Sequence, residues 1–295
     1  MDNPIIKHLV LTGGGTAAIV IYAILRESNK ENIWNINNIE SIYGTSAGAI
    51  TAFCISLKYD WEEIDNYLLN RPWENVYKMG IDNIINCFHS KGIFGKRIFE
   101  EMLHPLLKGK DLEPSITMKE LYEYSNISLH IFTTESHNYE SVDISHKTHP
   151  DWKVIDAIYC SACVPVMFIP FLKDEHCYTD GGITNNYPIY ECLESARSPS
   201  EIFGIKLSEQ CDARITENSS LIDFLLLLLA KIREKAYLER LHSVKKDYTI
   251  KHEITLELDN SKIFDVVNVM KSKTEIENMI HYGVELWNRY AKTIV

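Results

Sequence analysis

The chain has 295 residues, 45% of them apolar and 24% charged, the composition of an ordinary globular protein long enough to bury a sizeable core. Its formal net charge of −11 argues against a global electrostatic attraction to nucleic acid or anionic bilayers, so nucleic acid is not an expected partner. The opening "MDNPIIKHLVLTGGG" has neither a basic region ahead of an apolar run nor a small-residue cleavage site, so no signal peptide and a cytoplasmic location are expected.

In chain order, "IIKHLVLT" is short, apolar and β-branched, which predicts a strand. It runs into Gly13-Gly14-Gly15, after which "TAAIVIYAILRES" reads as a buried helix. The pattern repeats with "IESIYG" as strand, a tight "TSAG", and "AITAFCISLK" as an apolar helix. Two such strand, loop and helix units in succession predict an α/β domain with a mainly parallel central sheet flanked by helices. "DWEEIDNYLL", "GKRIFEEMLHPLL" and "TMKELYEYS" look helical, the last with Thr117 and Glu120 at capping-box spacing. "ISLHIFTTES" and "YESVDIS" predict neighbouring strands around a turn at "HN". "DWKVIDAIYCSA" returns to helix, "CYTDGG" ends a short strand in a turn, and "EIFGIKL" is another buried strand.

"SSLIDFLLLLLAKIREKAYLERL" is one long helix with Ser220 as N-cap, and its apolar run Phe224 to Ala230 is too short to span a bilayer. It reads as a core or groove-lining helix, with a membrane-surface face as the alternative because Lys231, Arg233, Lys235 and Arg240 follow directly. "KHEITLELD" adds a strand and "TEIENMIHYGVELWNRYA" a C-terminal helix. With no repeat or low-complexity linker, one domain over residues 1–295 is expected.

Seven cysteines (Cys54, Cys87, Cys160, Cys163, Cys177, Cys192 and Cys211) are odd in number and irregular in spacing, as reduced thiols would be. Cys160-x-x-Cys163 has no second ligand pair at zinc spacing and is read as two buried thiols. In a chain that is not secreted, the sequons at Asn126 and Asn218 carry no information.

The chemistry concentrates in three stretches. Gly44-Thr45-Ser46-Ala47-Gly48 is a G-x-S-x-G between a predicted strand and an apolar helix, the setting of a nucleophile elbow. A serine hydroxyl needs a positioned base and donors aimed at the oxyanion, and glycines two residues to either side remove Cβ atoms from the tight turn. Gly13-Gly14-Gly15 follows the first strand, so in a parallel sheet it reaches the same edge as Ser46. Its backbone N–H groups are candidate oxyanion donors. A phosphate loop is the competing reading, but "GGGTAAIV" lacks the Gly-Lys-Ser/Thr of a P-loop, and Ala18 breaks the dinucleotide fingerprint. Asp180-Gly181-Gly182 in "YTDGGITNNYP" is, standing alone, a turn signal.

A chain carrying a glycine loop, G-x-S-x-G and then D-G-G in that order resembles the patatin-like phospholipase family. The similarity extends through "DAIYCSACVPVMFIPFLKDEHCYTDGGITNNYP", with its "SA-x-x-P" and "NN-x-P" stretches, and covers roughly residues 5 to 210. The resemblance implies a patatin-like three-layer sandwich and a lipid acyl-ester hydrolase of the phospholipase A or lysophospholipase type. It implies Ser46 as nucleophile, Asp180 as base, Gly13, Gly14 and Gly15 as oxyanion hole, and Gly44, Gly48, Gly181 and Gly182 as supports. It implies no metal and no cofactor, and a lipid or phospholipid substrate met at a membrane or micelle surface.

One departure stands out. Many family members carry Arg or Lys two residues after the glycine triplet and Gly next, where this chain has Ala17 and Ala18. The missing cation leaves a catalytically weak or inactive binding protein as the alternative. A conventional triad would instead need a histidine after Asp180, but His242, His252 and His281 sit in no small-residue loop and read as surface or packing residues. His176, four residues before Asp180, could line the site. "WEEID", Asp259 and Asp265 are read as solvated acidic faces.

Overall fold

The computed structural model of the chain describes residues 5–78, 80–208, 214–243, 248–258 and 265–294, without the side chains of 81, 82, 84 and 239–243. The expectations for Cys211, for Asp259 and for the side chains of Arg240 and His242 lie outside the described residues.

The chain opens with β1 (His8–Leu11), α1 (Ala17–Lys30), β2 (Ser41–Thr45) and α2 (Ala47–Ser56). A helical stretch follows: α3 (Trp61–Asn70), α4 (Trp73–Val76), α5 (Ile81–Ser90), the short β3 (Gly92–Phe94), α6 (Arg97–Lys108) and α7 (Met118–Ser125). The expected capping box opens α7, with the Glu120 N–H donating to Thr117 Oγ1 at 3.2 Å and the Thr117 N–H to Glu120 at 2.8 Å. Then come β4 (Ser128–Glu135), β5 (Glu140–Ile144), α8 (Val154–Ala162), β6 (Val166–Phe168), β7 (Phe171–Lys173) and β8 (His176–Asp180). The rest is α9 (Ile189–Ser195), β9 (Ile202–Leu207), α10 (Leu221–Ser243), β10 (His252–Leu256), α11 (Val266–Lys271) and α12 (Lys273–Ile294). Ser220 caps α10 as expected, its Oγ accepting from the Asp223 N–H at 3.2 Å. α8 starts later than its sequence suggests because Lys153 is extended and bridges to Thr117.

Strands β10, β9, β1, β2 and β4 lie side by side and parallel. Buried on both faces, they alternate between two cores. Leu9 and Leu11 of β1, Ile42 of β2 and Ile131 of β4 point into the larger core, which α1, α2, α6, α8 and α12 complete. Val10, Tyr43 and Phe132 point the other way, against Ile189 and Cys192 of α9. The result is a three-layer sandwich with one thick and one thin helical layer.

The strand pairing of β4 positions the site. β5 pairs antiparallel with Ile131–Glu135 and so occupies one edge of β4. The opposite edge takes β2 along Ser128–Phe132 and then, antiparallel, β8 along Thr133–Glu135. β2 and β8 therefore meet end to end on that edge: Thr45 pairs with Phe132, and Asp180 pairs with the next residue, Thr133. The last residue of β8 and the first residue after β2 are brought together by register alone.

Beyond β9 the chain returns to the same layers. β10 extends the sheet, and α12 crosses α1 closely at Gly283, where an added Cβ would lie 2.6 Å from Ala23 Cβ and 2.8 Å from the Val20 carbonyl. Trp287 of α12 is fully buried against Phe203 of β9.

Candidate active site

Because β2 ends at Thr45 and α2 begins at Ala47, Ser46 alone makes the turn, at φ 52° and ψ −116°. A positive φ is strained for a serine, and that strain is what thrusts an elbow side chain clear of the sheet. The glycines of the motif permit the packing around it. A Cβ at Gly44 would lie 2.7 Å from the Gly48 carbonyl, and one at Gly48 would lie 2.2 Å from the Leu11 carbonyl oxygen. The turn therefore closes on itself and rests against the end of β1.

Ser46 Oγ donates to Asp180 Oδ2 at 2.6 Å, and both residues are more than nine-tenths buried. Asp180 is held at every polar atom. Its Oδ1 accepts from the Gly182 N–H at 2.7 Å, its carbonyl accepts from Thr134 Oγ1 at 2.9 Å, and its N–H donates to the Cys163 carbonyl at 3.1 Å. Gly181 lets the turn close on β4, since a Cβ there would lie 2.1 Å from the Phe132 carbonyl oxygen. Burial pushes the Asp180 carboxyl up from 3.8 to about 6, against the opposing effects of the Ser46 and Gly182 hydrogen bonds and the charge of Arg233. That value suits a base working near neutral pH far better than a free aspartate would.

The glycine loop supplies donors, but not all three expected. The Gly13 N–H donates to the Asn186 carbonyl at 3.0 Å and is thereby committed. Gly14 (φ 150°) and Gly15 (φ 53°) adopt backbone conformations that favour glycine, and among the described residues their N–H groups have no hydrogen-bond partner. Both line, with Ser46 and Asp180, a cavity of about 70 Å³. α1 and α2 start beside this cavity, so two positive helix ends face it.

Several residues at the site carried no clear sequence signal of their own. Ser161 accepts from the Ser46 N–H at 2.8 Å and donates to the Phe132 carbonyl at 2.5 Å, linking the elbow to β4. Its only hint is the "SA" of the "SA-x-x-P" stretch. Asn186 Nδ2 donates to Thr12 Oγ1 at 3.2 Å, tying "NN-x-P" to the loop after β1. Arg233 of α10 lines the dyad cavity, whereas Ala17 is wholly buried; the positive charge near Asp180 comes from a helix far along the chain.

Among the described residues, no histidine lines that cavity. His176 is not part of it: it starts β8, at the opposite end from Asp180, with Nδ1 3.6 Å from Glu135. His252 packs against Phe203, and His281 pairs with Glu285 at 3.2 Å on the surface of α12. A triad-like row does exist elsewhere. Ser128 Oγ is 2.9 Å from His130 Nε2, and His130 Nδ1 is 2.7 Å from Asp143. It lies at the start of β4, away from the edge where Ser46 sits, and none of its members lines the dyad cavity.

Cys160 and Cys163 are buried free thiols, pushed well above the ordinary range by burial. Within "WEEID", Asp65 is less solvated than expected, since Arg26 pairs with it at 2.5 Å. The described residues contain no His, Cys, Asp and Glu group arranged to hold a metal ion, and no helix among them is long and apolar enough to cross a membrane.

A strained serine at a strand-to-helix turn, hydrogen-bonded to a buried carboxylate beside open backbone donors, defines an α/β protein of the nucleophile-elbow class. The chain belongs to the patatin-like phospholipase family, whose model matches residues 9–193. It is 27% identical over 185 residues to a probable lipid hydrolase, 463L, of Invertebrate iridescent virus 6, a match covering 62% of each chain. It is 28% identical over 162 residues to patatin-like phospholipase domain-containing protein 2 of Mus musculus, covering 53% of this chain and 29% of that one. The match thus spans about three fifths of the viral relative's length and less of the mouse protein's. Among solved structures, VipD from Legionella pneumophila superposes with a TM-score of 0.51 at 17% identity, over 95% of this chain and 67% of that one, a likeness of fold.

Proposed function

We propose that this protein hydrolyses lipid acyl esters, as a phospholipase A or lysophospholipase, through a Ser46–Asp180 dyad and an acyl-enzyme. The observation that carries the reading is the 2.6 Å hydrogen bond from Ser46 Oγ to a buried Asp180 carboxylate, next to the N–H groups of Gly14 and Gly15, which have no partner among the described residues. Family membership supports the choice of a lipid ester as substrate.

In the proposed cycle Ser46 Oγ attacks the ester carbonyl carbon while its proton passes to Asp180 Oδ2. The developing oxyanion meets the Gly14 and Gly15 N–H groups, each such donor typically being worth ~10²–10³ in rate. Collapse returns the proton from Asp180 to the departing alkoxide and leaves the acyl group on Ser46. A water molecule, deprotonated by Asp180, then attacks the acyl carbonyl; as the bond to Ser46 Oγ breaks, Asp180 returns the proton to that oxygen and the carboxylic acid is released. These steps use side chains and backbone donors alone, so EDTA should leave the rate unchanged.

The outer face of α10 supports action at a lipid surface. Leu229, Ala230 and Arg233 face the dyad cavity, while Leu221, Phe224, Leu228 and Ile232 form an exposed apolar stripe on the opposite side of the helix. The test is release of fatty acid and lysophospholipid from phosphatidylcholine vesicles. Wild type should release both and Ser46→Ala neither; equal release by the two would refute the assignment.

A further inference from the structure

Behind the glycine loop lies a second cavity, of about 100 Å³, lined by α1, α2, α3, α4, α6 and α11. Gly15, Tyr77 and Val266 line both this cavity and the one holding the dyad, so the two adjoin at the oxyanion loop. Its wall is apolar: Ile64, Leu68, Met102, Leu103 and Leu106 contribute to it. Three of the polar side chains around it are turned into protein. Tyr67 donates to the Met102 carbonyl, Trp73 Nε1 to the Leu68 carbonyl at 2.8 Å, and Tyr22 to Asp65 at 2.8 Å. Burial pushes the Cys54 thiol in the wall up to about 12, so it stays neutral. A chamber lined this way offers water few partners and suits an alkyl chain.

We propose that this cavity holds the acyl chain of the substrate ester, entering past Gly15, Tyr77 and Val266, and that its α3 and α6 wall sets acyl-chain length. The inference rests on the ester-hydrolase reading above. When the carbonyl oxygen faces the Gly14 and Gly15 donors, the carbonyl carbon stands beside the shared neck, and the acyl chain that stays on Ser46 has the second cavity next to it. The alcohol leaves on the other side, where Arg233 and α10 line the dyad cavity. Ala18, in the first turn of α1, also lines the acyl cavity and fills little of it.

Two measurements on Leu106→Trp and, as a milder filling, Cys54→Leu separate this proposal from the reading beneath it. Neither residue lines the dyad cavity. The first is kcat/KM for p-nitrophenyl butyrate, octanoate and palmitate. The filled variants should lose palmitate hydrolysis by about tenfold or more, the effect of leaving two or so methylenes unburied, while butyrate changes by less than about twofold. The second is calorimetric binding of palmitate to Ser46→Ala, with and without each filling substitution, which needs no turnover. Binding that Leu106→Trp or Cys54→Leu abolishes supports the cavity even if no ester is hydrolysed. Active wild type whose folded variants keep the wild-type chain-length preference and palmitate affinity overturns it. Two variants that both fail to fold leave the palmitate titration of Ser46→Ala to decide, and no binding there overturns the proposal.

Discussion

At the scale of single residues, Asp180 carries opposite demands. The proposed base role wants a carboxylate with raised basicity, and burial supplies it, but burying a charge destabilises the fold. Its folded pKa of about 6 lies above the unfolded value of 3.8, so its stabilising contribution is full below pH 3.8, falls away between the two values, and is absent above about 6. The rise corresponds to about 3 kcal/mol at neutral pH. Asp180→Asn removes the charge, keeps one acceptor oxygen for the Gly182 N–H, and turns its NH2 toward Ser46 Oγ, which can accept. It should therefore melt higher than wild type above pH 6, by an amount that shrinks toward zero as pH drops to 4, in thermal scans across that range. A gap independent of pH would mean that the carboxylate is not buried as a charge. Both Ser46 and Asp180 were legible from sequence because each sits in a short motif whose glycines mark close backbone approach. Ser161 and Arg233 were not, since a serine in a helix and an arginine in an amphipathic helix have no local signature of what they touch.

At the scale of elements, the parallel strands were readable because strands buried on both faces appear as continuous apolar runs. Their end-to-end partner was harder. β8 arrives through a hairpin with β7, and three-residue strands such as β3, β6 and β7 are too short to display an alternation. That β8 meets β2 along one edge of β4 depends on β5 blocking the other, a pairing fact no single segment contains. α10 resolves an ambiguity in its own sequence. An all-round apolar run seemed to require a choice between groove-lining and surface roles, yet one face lines the dyad cavity and the opposite face is exposed. The paired substitution Leu228→Glu with Ile232→Glu changes only the exposed face. It should lower vesicle hydrolysis by about tenfold or more, through loss of apolar insertion, and leave monomeric p-nitrophenyl butyrate within about twofold. A proportional loss on both substrates would assign those residues to the fold rather than to the lipid surface.

At the scale of the whole molecule, the family match ends at residue 193 while the architecture does not. β9, β10 and α12 lie beyond it, extend the same sheet and cover α1, and α10 brings Arg233 to the dyad. The positive charge that family resemblance leads one to seek after the glycine triplet is absent at Ala17, and a charge from the later segment stands near Asp180 instead. A net charge of −11 argues against a nucleic-acid partner, but a sum over the chain could not reveal that one arginine lines the cavity beside Asp180. The central claim is that Asp180 activates Ser46, and it is tested most directly by the rate at which a fluorophosphonate labels the protein as pH varies. Wild type should be labelled at Ser46, with a rate that rises through about pH 6; Ser46→Ala should not be labelled, and Asp180→Asn should react ~10²–10⁴-fold more slowly with no such inflection. Labelling of Asp180→Asn at the wild-type rate, or of Ser46→Ala at any comparable rate, would contradict it.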